Sequence, residues 1–145
     1  MSSEEDRMNR LILESRMLES TFNELTSRQG LLERMLIESR ASIETIKEVS
    51  SARDEVLVPV GAGVLLRGPP PTADKVLVSI GANVVVEKTK EAAQKMLEER
   101  AKALEENIVT LISQRNQVAQ RLEADRMALQ AYVDAQEQPR QGQPG

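Results

Sequence analysis

The sequence predicts an α+β protein: a long antiparallel helical coiled coil with two β-hairpins between its helices. Three observations carry this. Two stretches flanking the middle of the chain repeat apolar residues every seven positions. The middle holds two β-branched blocks that overlay after a shift of twenty residues. Aromatic residues make up only 1% of 145, namely Phe22 and Tyr132, so packing falls to Leu, Ile, Val, Ala and Met, as in coiled coils.

The first arm covers residues 4–53, contains no proline, and has Gly30 as its only glycine. Leu11, Leu18, Leu25 and Leu32 recur every seven residues, and Ile46 rejoins that register. The companion series is Met8, Ser15, Phe22, Gln29, Leu36 and Ile43, with Ser39 falling in the first register. A period of 3.5 imposes a left-handed supercoil. Ser2 or Ser3 is suited to cap the start, with Glu4, Glu5 and Asp6 near the positive end of the helix dipole. Ser15, Gln29 and Ser39 weaken the seam and are candidates for fixing its register.

Residues 55–88 read as two tandem hairpins. Val56-Leu57-Val58 repeats as Val76-Leu77-Val78, Gly61-Ala62 as Gly81-Ala82, and Val64 as Val84, six identities in thirteen positions. The candidate strand residues are Val56, Val58, Val60, Val64, Val76, Val78, Ile80, Val84 and Val86. The candidate turns are Gly61-Ala62-Gly63 and Gly81-Ala82-Asn83, because Gly and Asn tolerate the positive φ of tight turns. Pro59 lacks an N–H, so its strand is expected at an edge or with a bulge. Pro69-Pro70-Pro71 separates the blocks as an extended turn. Four short strands cannot close a barrel and leave edges that invite pairing. The hairpins are therefore expected to complete a sheet or barrel with other subunits; a small sheet packed on its own helices is the alternative.

The second arm covers residues 89–136, with Thr89 as its N-cap candidate. Leu97, Leu104, Leu111, Val118 and Tyr132 form one series, and Ala101, Ile108, Leu122 and Leu129 the other, interrupted by Arg115 and Asp125. Residues 137–145 carry no apolar side chain and read as a disordered tail. The arms match in length, each roughly 70–75 Å at about 1.5 Å per residue. Matched arms around a reversing middle predict an antiparallel pair within one chain, rather than parallel arms pairing between chains. Aligning Ala52 with Lys90 would bring Arg16 near Asp125 and Thr26 near Arg115.

Composition excludes several functions. There is no Cys and no His, which removes thiol nucleophiles, imidazole bases, disulfides and nearly every zinc site. Gly61, Gly63 and Gly68 have the spacing G-x-G-x-x-x-x-G with no Gly-Lys-Ser/Thr, so they are turn glycines rather than a phosphate loop. Acidic residues adjoin basic ones on helix faces, as in Glu98-Glu99-Arg100, and form a solvated surface rather than paired catalytic carboxylates. Neither an enzyme nor a cofactor is expected. Net charge is −4 with the signs interspersed, which offers no footprint for nucleic acid and no basic patch for a membrane. No apolar run approaches a membrane span, and Met1-Ser2-Ser3-Glu4-Glu5-Asp6 is no signal peptide, so a cytoplasmic protein is expected.

The stretch Val56–Gly63 and its echo Lys75–Lys88 resemble the alpha subunits of the prefoldin (GimC) family, archaeal in type. The doubled hairpin is the specific part of the likeness, since beta subunits carry one hairpin, and the triple proline at 69–71 is unusual against the pattern. The resemblance implies an ATP-independent chaperone. In that family two alpha and four beta subunits join hairpins into a double β-barrel platform with six coiled-coil tentacles. Their tips hold non-native polypeptides and hand them to a group II chaperonin. A structural coiled-coil scaffold or adaptor without chaperone activity is the competing reading.

Candidate client contacts lie at the open ends of the arms: Met8, Leu11, Ile12, Met17 and Leu18 on one, and Met127, Leu129, Tyr132 and Val133 on the other. Ile12, Met17 and Val133 fall outside the heptad series, so the seam does not require them. Methionine adapts its shape to varied apolar partners. The bland alternative is that Met8, Leu11, Leu129 and Tyr132 merely finish the seam.

Overall fold

A computed structural model describes residues 3–51, 54–71 and 74–137 of the chain. The order of elements is helix α1 (Ser3–Ser51), strands β1 (Val56–Gly61), β2 (Val64–Gly68), β3 (Lys75–Gly81) and β4 (Val84–Thr89), and helix α2 (Lys90–Glu137). The fold class is the expected one, long helices on either side of two antiparallel β-hairpins. Ser2, the end of the first arm at Ala52 and Arg53, and the tail from Gln138 onward lie outside the described residues. The chain divides into two compact units, Met1–Leu31 with Ile108–Gly145, and Leu32–Asn107.

In the first unit, burial follows the heptad pattern. Met8, Leu11, Ser15, Leu18, Phe22, Leu25 and Gln29 are half-buried on α1, and Ile108, Leu111, Leu122 and Asp125 are buried on α2. The segments run in opposite directions: Met8 shares a groove with Tyr132, and Phe22 shares another with Leu122. Arg126 Nη2 lies 3.6 Å from Glu19 Oε1 across the pair. Each fully buried Leu is worth about 1.5–3 kcal/mol, and two helices bury only one stripe of them.

The cation that Asp125 meets is Arg121, one turn back on its own helix at 3.8 Å. Thr26 likewise returns its hydroxyl to Phe22 O at 2.9 Å, the local back-bond that Ser and Thr favour in helices. A side chain bonded within its own helix needs no ordering across the pair, which is why the local partner wins.

In the second unit, Ser39, Ile43, Ala93, Ala101 and Leu104 are buried. Ser39 satisfies its hydroxyl by donating to Met35 O at 2.9 Å. Arg40 pairs with Glu105 across the helices. The hairpins form separate two-stranded sheets, β1-β2 and β3-β4. β4 runs directly into α2, whose start is capped as expected: Ala92 N–H donates to Thr89 Oγ1 at 3.1 Å. Lys90 N–H donates to Asp74 O at 2.9 Å and carries the β3-β4 ladder one bond beyond its Lys75↔Thr89 pair.

Candidate functional site

Two groups of residues were singled out by sequence, and the structure places them as follows. In the hairpins, Ala62-Gly63 and Ala82-Asn83 are the two-residue turns, closed by the pairs Gly61↔Val64 and Gly81↔Val84. Gly61, Gly63, Gly81 and Asn83 all have positive φ, the conformation for which Gly and Asn suit a turn. Ala62 and Ala82 also have positive φ, at 51° and 50°. Both alanines were expected in the turns, but positive φ was expected only of Gly and Asn. The repeated Gly-Ala pair was the available signal, because the same turn built twice needs the same backbone twice.

The register slips between Pro59 and Gly61, and again between Ser79 and Gly81. The bulge therefore belongs to the turn rather than to proline, since it recurs where no proline stands. Val58, Val60, Val64, Ile80 and Val84 are exposed, while Val56, Val76, Val78 and Val86 are half-buried. Leu57, Leu65, Leu66, Leu77 and Val85 are exposed as well, with Leu77 at 75%. So many exposed aliphatic side chains on two short sheets exceed what a monomeric surface ordinarily carries.

In the first unit, Met8, Leu11, Leu129 and Tyr132 come together in a groove of about 340 Å³. Ala128, Ala131 and Ala135 also line it, and their small side chains leave the space open. Glu4, Arg7 and Gln136 give it a polar border. Ile12, Met17 and Val133 do not line this groove. Ile12 and Leu18 are half-buried, whereas Met17 at 70%, Met127 at 66% and Val133 at 42% are exposed. Leu13, exposed at 61%, was missed by the sequence reading; its signal is an apolar residue off the seam, four positions before Met17.

The electrostatics of this unit centre on Arg121. Its guanidinium is held above its ordinary value, first by the hydrogen bond to Glu14, then by the charges of Glu14 and Asp125. Among the described residues no cluster of acidic side chains could hold a metal ion. No helix there is long and apolar enough to cross a membrane.

These features define a class: a coiled-coil protein with two antiparallel β-hairpins between its long helices and, in the first unit, an open apolar groove on the seam. Residues 18–135 match the Prefoldin family, described as prefoldin subunit, and the chain belongs to that family. It is 32% identical over 141 residues to the prefoldin subunit alpha of Nitrosopumilus maritimus (strain SCM1), covering 97% of this chain and 96% of that relative. Its structure is similar to the cryo-EM structure of filamentous PFD from Methanocaldococcus jannaschii, with a TM-score of 0.66, 26% identity, and coverage of 80% of this chain and 95% of that one. The family is one of non-enzymatic chaperones, so a chaperone subunit is the general role that membership assigns.

Proposed function

We propose that this chain is the alpha-type subunit of an ATP-independent holdase. Its hairpins join beta-type prefoldin subunits, two chains of this kind with four of the other, and its arm tips hold non-native polypeptides in the cytoplasm for transfer to a group II chaperonin. The observation that carries the reading is the groove of Met8, Leu11, Leu129 and Tyr132, with Met17 and Val133 exposed on the same unit. Adaptable apolar side chains without a fixed partner suit clients of many sequences. One tip offers little area, so useful affinity comes from several tips acting together. The aliphatic faces of the hairpins supply the platform on which several tips are gathered.

The test is suppression of aggregation of a chemically unfolded protein by the assembled complex, with no nucleotide present. A holdase protects stoichiometrically. A scaffold rod leaves aggregation unchanged, and that result would end the proposal. The assembly half is tested separately by Val78→Asp, which is expected to abolish complex formation with a beta-type subunit.

A further inference from the structure

The first unit carries a second groove, of about 450 Å³, lined from both helices by Phe22 and Leu122, with Glu19, Ala119, Glu123 and Arg126 around them. It is not an extension of the groove at Met8 and Tyr132. Glu19, Ala119 and Arg126 each follow a seam residue, namely Leu18, Val118 and Asp125. Arg7 and Ala128, which line the other groove, each precede one, Met8 and Leu129. In a heptad these two kinds of position flank the seam on opposite sides. The helix pair of the first unit thus has a groove on each side, and their chemistry differs.

The groove at Met8 is bordered by Glu4 and Arg7, one charge of each sign. The groove at Phe22 has two carboxylates and one guanidinium. Arg126 lies 3.6 Å from Glu19, so that cation is already engaged. Glu123 has no ion-pair partner among the described residues. Phe22, the only phenylalanine of the chain, is half-buried, and the small side chain of Ala119 leaves room beside it. A ligand that suits this groove has an apolar body and a positive end. Lysine and arginine side chains have that form, since their methylene stems cover apolar surface while the charged head stays in water or at an opposite charge. A cation within about 6 Å of an aromatic face is attracted to it as well.

We propose that this groove binds a lysine or arginine side chain of a non-native polypeptide, with the stem on Phe22 and Leu122 and the charged head at Glu123. The proposal rests on the holdase reading and adds basic segments to the apolar ones as a class of client. Arg126 opposes an incoming cation, and Glu19 limits that opposition by pairing with it. With apolar residues taken on one side of the arm and a basic residue on the other, a single arm holds two parts of a client, and the second contact adds to the first without a new encounter.

The experiment is fluorescence anisotropy of the complex of this chain with a co-expressed beta-type prefoldin subunit, titrated into three short labelled peptides that differ only at a central lysine, glutamine or glutamate. The lysine peptide should bind about two- to fivefold more tightly than the glutamine peptide, the range of an exposed ion pair, and the glutamate peptide most weakly. Raised salt should shrink the difference. Glu123→Gln should abolish the lysine preference without changing the mass of the complex, and Arg126→Gln should increase it. Phe22→Leu, which keeps the seam apolar, should weaken lysine binding. Equal binding of the three peptides overturns the proposal. So does a lysine preference that survives Glu123→Gln, which would place it on the partner subunits. A complex that loses mass on Glu123→Gln overturns it too, by making the groove a contact between subunits. Each of these failures leaves the holdase reading standing where the wild-type complex suppresses aggregation, and a wild-type complex that does not suppress it sinks both.

Discussion

Arg121 Nε lies 2.6 Å from Glu14 Oε1, across the helix pair, and 3.8 Å from Asp125 Oδ1 on its own helix. One guanidinium thus serves an exposed link between helices and a carboxylate that is only 3% exposed. Asp125 Oδ2 has no hydrogen-bond partner, and neither has Ser15 Oγ on the opposing seam. A buried carboxylate served on one oxygen is costly, and replacing it with a well-packed apolar residue is often stabilising.

Asp125→Leu is therefore expected to stabilise the chain, by up to about 1–4 kcal/mol in denaturant unfolding. Arg121→Gln should lower stability in the wild-type background and have much less effect in the Asp125→Leu background. A double-mutant cycle checks this. Equal effects of Arg121→Gln in both backgrounds would show that the Asp125 contact is without consequence.

The pH dependence follows from the same group. The value of Arg121 is raised in the folded state. Its contribution is therefore fully present below the unfolded value and is lost only as pH rises through the raised one, far into the alkaline range. The chain contains no His. The melting temperature should stay level between about pH 6 and 8, where histidine would otherwise titrate. A clear slope in that window would require another buried group to change its charge.

The turns carry measurable strain. Ala82 sits at φ 50°, a left-handed conformation that disfavours any side chain with a Cβ. Ala82→Gly should relieve roughly 1 kcal/mol of it, partly offset by the greater freedom of glycine in the unfolded chain. Gly81→Ala should destabilise by about 1–3 kcal/mol, although a Cβ there meets nothing within 4 Å, because its φ of 103° is the obstacle. Chemical denaturation of the two variants should move in opposite directions.

For the tips, Ile12→Ser, Met17→Ser and Val133→Ser combined should reduce protection of an unfolded client while the complex keeps its mass. Met17 and Val133 are exposed, so their replacement should change stability by about 0.5 kcal/mol or less each. Full protection by the triple variant would move client binding to the groove of Met8 and Tyr132 or to the partner subunits.

The sequence by itself determined the fold. A seven-residue apolar repeat marks one stripe for burial, and the residues it marks from Met8 to Ile46 and from Leu97 to Tyr132 are all half-buried or buried. A doubled Gly-Ala between β-branched runs likewise determined both hairpins and both turns, since local backbone chemistry decides a tight turn. The tertiary structure alone decided which partners the polar seam residues take. Asp125 pairs with Arg121 on its own helix, and Thr26 likewise bonds to its own helix. It also decided that Met8, Leu11, Leu129 and Tyr132 open into a groove while Ile12, Met17 and Val133 stay out of it. Periodicity records which face of a helix is apolar. How far two side chains reach, and whether the residues between them are as small as Ala128 and Ala131, depends on atoms that only packing brings together.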